Sequence, residues 1–261
     1  MPQLDLRGKI AAAEIAFWVP VFGLSAYLVF RYAFRRDAGW FFLTIFSAVR
    51  IAEGALVVAA EMMTKRDLFS AAYIIDYAAL FALLFASLGF VGMAGQHTYS
   101  ENPRVATILR VVGAFGLVGL ALCLAGGVLG AKPDAANQTI PTILRRAGVC
   151  IYAAVYLFLF ATHIGTWTYR WHLRSYRRSL LFGISVALPF LGARIAYAVI
   201  SAWSSEDLYG DQLSSNKTLA NLNPIKGNWI LYLVLGPIME YCVAAIYLFS
   251  STILASKKHR Y

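Results

Sequence analysis

Seven ionisable side chains stand inside long apolar stretches of this chain: Glu14, Arg50, Glu53, Asp76, His163, Arg194 and Glu240. Each costs at least a few kcal/mol at membrane depth unless it meets a partner or a cavity, which makes these residues the first candidates for function. Two arginines face four carboxyls in this set, so pairing alone leaves acid in surplus. A carboxyl that keeps its proton in an apolar pocket can give it to a substrate. Asp76 and Glu240 are the candidate donors, and Glu53 is the candidate acceptor when the proton returns. The competing reading is structural: Arg50 and Arg194 each bridge to a carboxyl, for example Asp76 and Glu240, and lock helices together. Arg50 and Glu53 also share one helical face at i and i+3, and that local pair would release Asp76. Glu14 and Glu61 lie near helix ends and read as interfacial, while His163 reads as hydrogen-bonded to a neighbouring helix.

Aromatic residues are abundant around these charges. Trp and Tyr gather at the interfaces of any membrane protein, a role that covers Trp18, Tyr73, Trp229 and Tyr232. Tyr77, Tyr197 and Tyr241 stand apart, because they lie one position from Asp76, three from Arg194 and one from Glu240. Their ring faces are suited to stabilising a developing carbocation.

The elements that must hold these residues follow from composition. Of 261 residues, 60% are hydrophobic and 14% charged, far from the usage of water-soluble domains. Seven apolar runs of spanning length occur at about 11–30, 40–60, 68–93, 107–130, 147–167, 180–203 and 229–255. Lipid offers the backbone no hydrogen-bond partners and the runs are too long for barrel strands, so each is expected to be a helix. The predicted fold is an all-α, integral membrane seven-helix bundle, one domain over residues 1–261, with the first run retained rather than cleaved as a signal peptide.

The net charge of +10 comes mostly from Lys and Arg in short loops. It points to orientation in a bilayer and not to a nucleic-acid partner. Arg31, Arg35 and Arg36 follow the first run, Arg170, Arg174, Arg177 and Arg178 the fifth, and Lys257, Lys258 and Arg260 the last. Those segments are expected in the cytoplasm, with the N-terminus lumenal and the C-terminus cytoplasmic. Two sequons, Asn137-Gln138-Thr139 and Asn216-Lys217-Thr218, then fall on the lumenal side. They make Asn137 and Asn216 candidate glycosylation sites of a glycoprotein in the endoplasmic reticulum membrane. The loop from Ser204 to Asn228, rich in Ser, Asn and Asp, suits either a lid or a passive connector.

An internal repeat organises the charges. Arg50-Ile51-Ala52 and Arg194-Ile195-Ala196 recur on the second and sixth runs, and Asp76-Tyr77 and Glu240-Tyr241 on the third and seventh. An offset of four crossings restores direction, so the pattern predicts a parallel 3+1+3 pseudo-repeat of the kind found in SWEET-type sugar transporters. Several chemistries are disfavoured. The last run has no lysine for a retinal Schiff base, and only His163 of the four histidines lies well inside a span, which leaves an intramembrane zinc site without ligands. No phosphate-binding glycine loop or nucleophile elbow is present.

Ala13-Glu14-Ile15 through Val19-Pro20, Phe30-Arg31, Arg35-Arg36-Asp37-Ala38-Gly39-Trp40, Arg50-Ile51, and Pro189-Phe190 through Arg194-Ile195-Ala196-Tyr197 resemble a fungal family of seven-helix membrane proteins. That neighbourhood includes the membrane-bound terpene cyclases of the ascofuranone-pathway type, which close epoxidised prenyl chains in meroterpenoid biosynthesis. The resemblance implies a terpene cyclase of isomerase or lyase type that needs neither metal nor cofactor and acts on a hydrophobic prenylated substrate in the bilayer. An epoxidase and a prenyltransferase would be its pathway partners. On this reading Asp76 or Glu240 protonates the substrate and Glu53 receives the final proton, while Tyr77, Tyr197 and Tyr241 shield the cation and Arg50 and Arg194 hold the carboxyls in place. The alternative is a proton-coupled, SWEET-like transporter or a lipid-sensing receptor, in which the same buried acids carry protons or sense a ligand.

Overall fold

A computed structural model describes residues 5–32, 38–95, 103–131, 139–168, 170–173 and 175–258. Seven helices in it are long and apolar enough to cross a membrane. The first six are α1 (Leu6–Tyr32), α2 (Ala38–Met63), α3 (Arg66–Ala94), α4 (Pro103–Gly130), α5 (Thr139–Thr168) and α6 (Ser175–Ala202). A short α7 (Lys217–Asn221) interrupts the loop that follows. The seventh span is composite: α8 (Trp229–Leu233), a π-helical segment (Val234–Ile238) and α9 (Met239–Lys258). Pro237 lies within the π segment. Proline cannot donate to the helical ladder, and a π turn is one of the local adjustments by which a membrane helix absorbs it.

Side chains sort as a bilayer requires. Trp18, Trp40, Phe46, Phe90, Tyr152 and Tyr247 are fully buried between helices. Phe30, Phe115, Leu157, Phe182 and Phe249 point outward and are exposed. An apolar exterior on this scale is tolerated only against lipid. Helix α3 is central, packing on α2, α4, α5 and α6; α4 lies against α5, α6 against α9, and α1 against both α2 and α9. Helices α2 and α3 are joined by a tight turn in which Thr64 takes φ 55°.

The observed helices contain six of the seven predicted runs whole and the sixth run up to Ala202, with one substantial difference. Helix α5 begins at Thr139, eight residues before the expected start at 147. Residues 139–146 hold Pro141, Arg145 and Arg146 and read as loop. Pro141 sits in the first turn, where no intrahelical donor is required. Arg145 gives Nη1 to the Asp207 carbonyl (3.2 Å) and Nη2 to the Ser205 carbonyl (3.2 Å), and Arg146 gives Nε to the Ala202 carbonyl (3.2 Å). The basic stretch is accommodated as helix because carbonyls at the end of α6 and in the loop after it accept from its guanidinium groups.

That loop, residues 203–228, is a built cap. The Asp207 carboxylate accepts three backbone N–H groups, from Tyr209 (3.1 Å), Asp211 (2.7 Å) and Gln212 (2.9 Å). Asn223, buried, accepts from the Ile225 and Lys226 backbones and donates to Ser204 Oγ (3.1 Å). Gly210 takes φ +70°, the left-handed conformation that this tight turn needs. Asn216 is exposed and caps α7, its side-chain oxygen accepting from the Thr218 N–H (3.1 Å). Asn137 lies outside the described residues.

Candidate functional site

The cap closes over a cavity of about 90 Å³ between α1, α2, α3, α5, α6 and the seventh span. Its walls carry Arg7 and Glu14 from α1, Arg50 and Glu53 from α2, and Asp76 from α3, with Arg145 from α5 and Arg194 from α6. The Tyr73, Tyr77, Tyr197 and Tyr232 side chains complete it, and Ser205, Leu208 and Asn223 of the cap roof it.

At its base two arginines and three carboxylates form one network. The Arg50 guanidinium donates to Glu53, to Glu240 Oε1, and through Nη2 to Asp76 Oδ1 at 2.8 Å. Arg194 donates Nε to Glu240 Oε1 at 2.6 Å and Nη2 to Asp76 Oδ1 at 2.8 Å. Asp76 and Glu240 therefore each receive both arginines. The repeated Arg-Ile-Ala and acid-Tyr segments meet at this one point, so the four repeated charges, drawn from four different helices, form a single cluster. Charged hydrogen bonds of this kind offset the cost of taking the ions out of water.

The four carboxyls are not equivalent. Glu240 is completely buried beneath the arginines and does not line the cavity. Asp76 does line it, with about a third of its side chain accessible (31%). Glu53 is bound to Arg50. Glu14, which reads from sequence as interfacial, is buried with Oε1 lacking any hydrogen-bond partner, as are Tyr197 Oη and Arg50 Nε. Buried polar atoms are nearly always satisfied, so orphans on the wall of a polar cavity mark where a ligand group or ordered water is bonded.

Three expectations shift. The count of two arginines against four carboxyls omitted Arg7 and Arg145, which also line the cavity and bring cations and acids to equal number. Tyr241 does not reach the site: its ring packs edge-on against Phe17 (5.7 Å) and Trp18 (5.7 Å) of α1. Tyr232 and Tyr73 do reach it; helical spacing marks Tyr73, three residues before Asp76, but not Tyr232, which is separated from Glu240 by the π segment. Tyr77 and Tyr197 line the cavity as their spacing suggests. His163 bonds to Ser185 Oγ of α6 at 2.8 Å and accepts from Trp167 Nε1 at 2.9 Å, well away from the cluster. Glu61 accepts the Asp5 backbone N–H (3.1 Å) at the start of α1. Among the described residues no three His, Cys, Asp or Glu side chains are disposed to hold a metal ion.

Fold and site together define a helical integral membrane protein with a charge-lined cavity at one end of the bundle. The chain belongs to the DUF7702 family, a domain of unknown function whose family model matches residues 4–257. No curated protein and no solved structure matches it.

Proposed function

We propose that the cavity is a metal-free acid–base site of a terpene cyclase in the endoplasmic reticulum membrane, acting on the epoxide or alkene end of a prenylated molecule dissolved in the bilayer. The observation that carries this reading is Glu14, a buried carboxyl with an unbonded oxygen on a tyrosine-lined wall. Asp76, Glu53 and Glu240 each hold one oxygen against arginine, and Glu240, whose Oε2 also lacks a partner, does not line the cavity. On this reading Glu14, arginine-free and on the cavity wall, joins Asp76 and Glu240 as a candidate proton donor and is the one we favour. Its proton passes to the epoxide oxygen, the C–O bond opens to a carbocation, and a hydroxyl or neighbouring alkene of the same molecule attacks. The proton lost from the trapped product returns to a carboxylate, Glu14 or Glu53, so substrate and product have equal mass. Tyr77, Tyr197 and Tyr232 present rings to the cation. The cap and the surrounding helices limit access of the bulk water that would quench it, and the substrate end displaces what the small cavity holds.

A second reading rests on the size of the cavity. About 90 Å³ admits a few waters or one small polar group, well below the few hundred Å³ typical of pockets that enclose whole ligands. A cyclase of this form admits only the reacting end of its substrate. A proton-coupled carrier or a receptor for the polar end of a lipid needs no more room than is present.

One experiment separates the readings. Extracts of a fungal host fed epoxyprenyl phenols are compared by mass spectrometry with the chain, with Glu14→Gln and with Asp76→Asn. The cyclase reading expects a new isomer of unchanged mass, lost in Glu14→Gln. An unaltered product profile, with the protein present in the membrane, sinks it and leaves transport or sensing.

A further inference from the structure

At the opposite end of the bundle, Arg170 and Arg178 converge on one indole. The Arg170 guanidinium carbon lies 4.6 Å from the Trp171 ring centre and 5.4 Å from that of Trp167, and the Arg178 guanidinium lies 5.5 Å from Trp171. Neither arginine pairs with a carboxylate among the described residues, and the one hydrogen bond given by either guanidinium there is a long one, from Arg178 Nη2 to the Leu173 carbonyl (3.5 Å). Below them a groove of about 1030 Å³ runs down between α6 and α9. Its walls are the apolar side chains Phe182, Val186 and Ile246. Its floor forms where the helices touch, because a Cβ on Gly183 would stand 2.6 Å from Ser250 Cβ.

We infer that this groove binds one anionic glycerophospholipid of the cytoplasmic leaflet, its phosphate between Arg170 and Arg178 and an acyl chain along Phe182 and Val186. Two like charges brought beside one ring repel each other, and an anion between them turns that repulsion into two charge-assisted hydrogen bonds. The height is right for a headgroup: Arg170 and Arg178 flank the junction of α5 and α6, one of the basic segments that charge asymmetry places at the cytoplasmic surface. Basic pockets between helices on that side suit anionic headgroups. A soluble anion would account for the arginines but not for the apolar trench that continues from them. The inference concerns a different end of the molecule from the acid–base cavity and does not depend on its chemistry.

The test is native mass spectrometry of the full chain in micelles containing equal amounts of phosphatidylserine and phosphatidylcholine with the same acyl chains. About 1 kcal/mol per arginine predicts roughly thirty-fold preferential retention of phosphatidylserine. Arg170→Gln with Arg178→Gln should abolish the preference. Val186→Trp, which fills the trench and leaves both arginines in place, should expel the lipid, so the inference stays testable even if the double variant fails to fold. Equal retention of the two lipids, a preference that survives either variant, or displacement by equimolar inorganic phosphate overturns it.

Discussion

Arg194 shows what the buried network does for the fold. It donates to Glu240 through Nε and to Asp76 through Nη2. Breaking a buried ion pair strands the remaining charge, at a cost of about 3–5 kcal/mol. Arg194→Met is therefore expected to lower the stability of the purified protein in micelles by that amount, read from denaturant unfolding. Arg194→Lys, a point charge without the planar fork, should fall between the two. Glu14→Gln should be almost silent in the same assay, because its Oε1 has no partner to lose. A large destabilisation by Glu14→Gln would mean that this carboxyl is structural and would remove the observation on which the cyclase proposal stands. Hydropathy makes Arg50, Glu53, Asp76, Arg194 and Glu240 legible as a group, since each interrupts an apolar run. The pairs Arg50–Glu53, Arg50–Asp76 and Arg194–Glu240 are legible as well, but not the sharing of Asp76 and Glu240 by both arginines, which depends on how each helix is rotated. Tyr241 illustrates this: adjacent residues on a helix point about 100° apart, so being next to Glu240 turns Tyr241 towards α1.

At the scale of the helix, close approach is governed by glycine. A Cβ on Gly89 of α3 would stand 2.6 Å from the Gly39 nitrogen and 2.7 Å from its Cα, so α2 and α3 cross backbone to backbone there. Gly92, one turn further along α3, has nothing within 4 Å of the same position. Gly89→Ala should therefore cost about 1–3 kcal/mol through forced separation of the helices, and Gly92→Ala should be neutral or slightly stabilising. Equal unfolding midpoints for the two variants would contradict the packing of α2 on α3. Arg145 makes the corresponding argument for the cap, holding the carbonyls of Ser205 and Asp207. Arg145→Met should loosen the loop, and limited proteolysis within residues 203–228 should become several-fold faster while the helices remain intact. If the cleavage rate is unchanged, Asp207 and Asn223 hold the loop without help from α5. The part Arg145 plays was hidden in the sequence by its own charge, which made the first eight residues of α5 read as loop.

Across the whole molecule, orientation decides which compartment each site meets. Arg7, near the start of α1, and the cap after α6 line the same cavity, so the N-terminal end and residues 203–228 lie on one side of the bilayer. The groove beneath Arg170 and Arg178 belongs to the other side. Charge asymmetry assigns the first side to the lumen, and Asn216 offers a way to check it. Asn216 is exposed, and its side-chain oxygen is bonded to the Thr218 N–H while its nitrogen has no partner among the described residues. Expressed in a fungal host, the chain should carry a glycan there that endoglycosidase removes and Asn216→Gln abolishes. A tag after Tyr261 should be digested by protease added to sealed microsomes. A protected tag on a chain without glycan would invert the assignment. On the acid–base proposal the cavity would then draw its protons from the cytoplasm, and Arg170 and Arg178 would face the leaflet poor in anionic lipid. Two further consequences could then be read from the same membranes: a pH response on the cytoplasmic side, and loss of the preference for phosphatidylserine as a native partner.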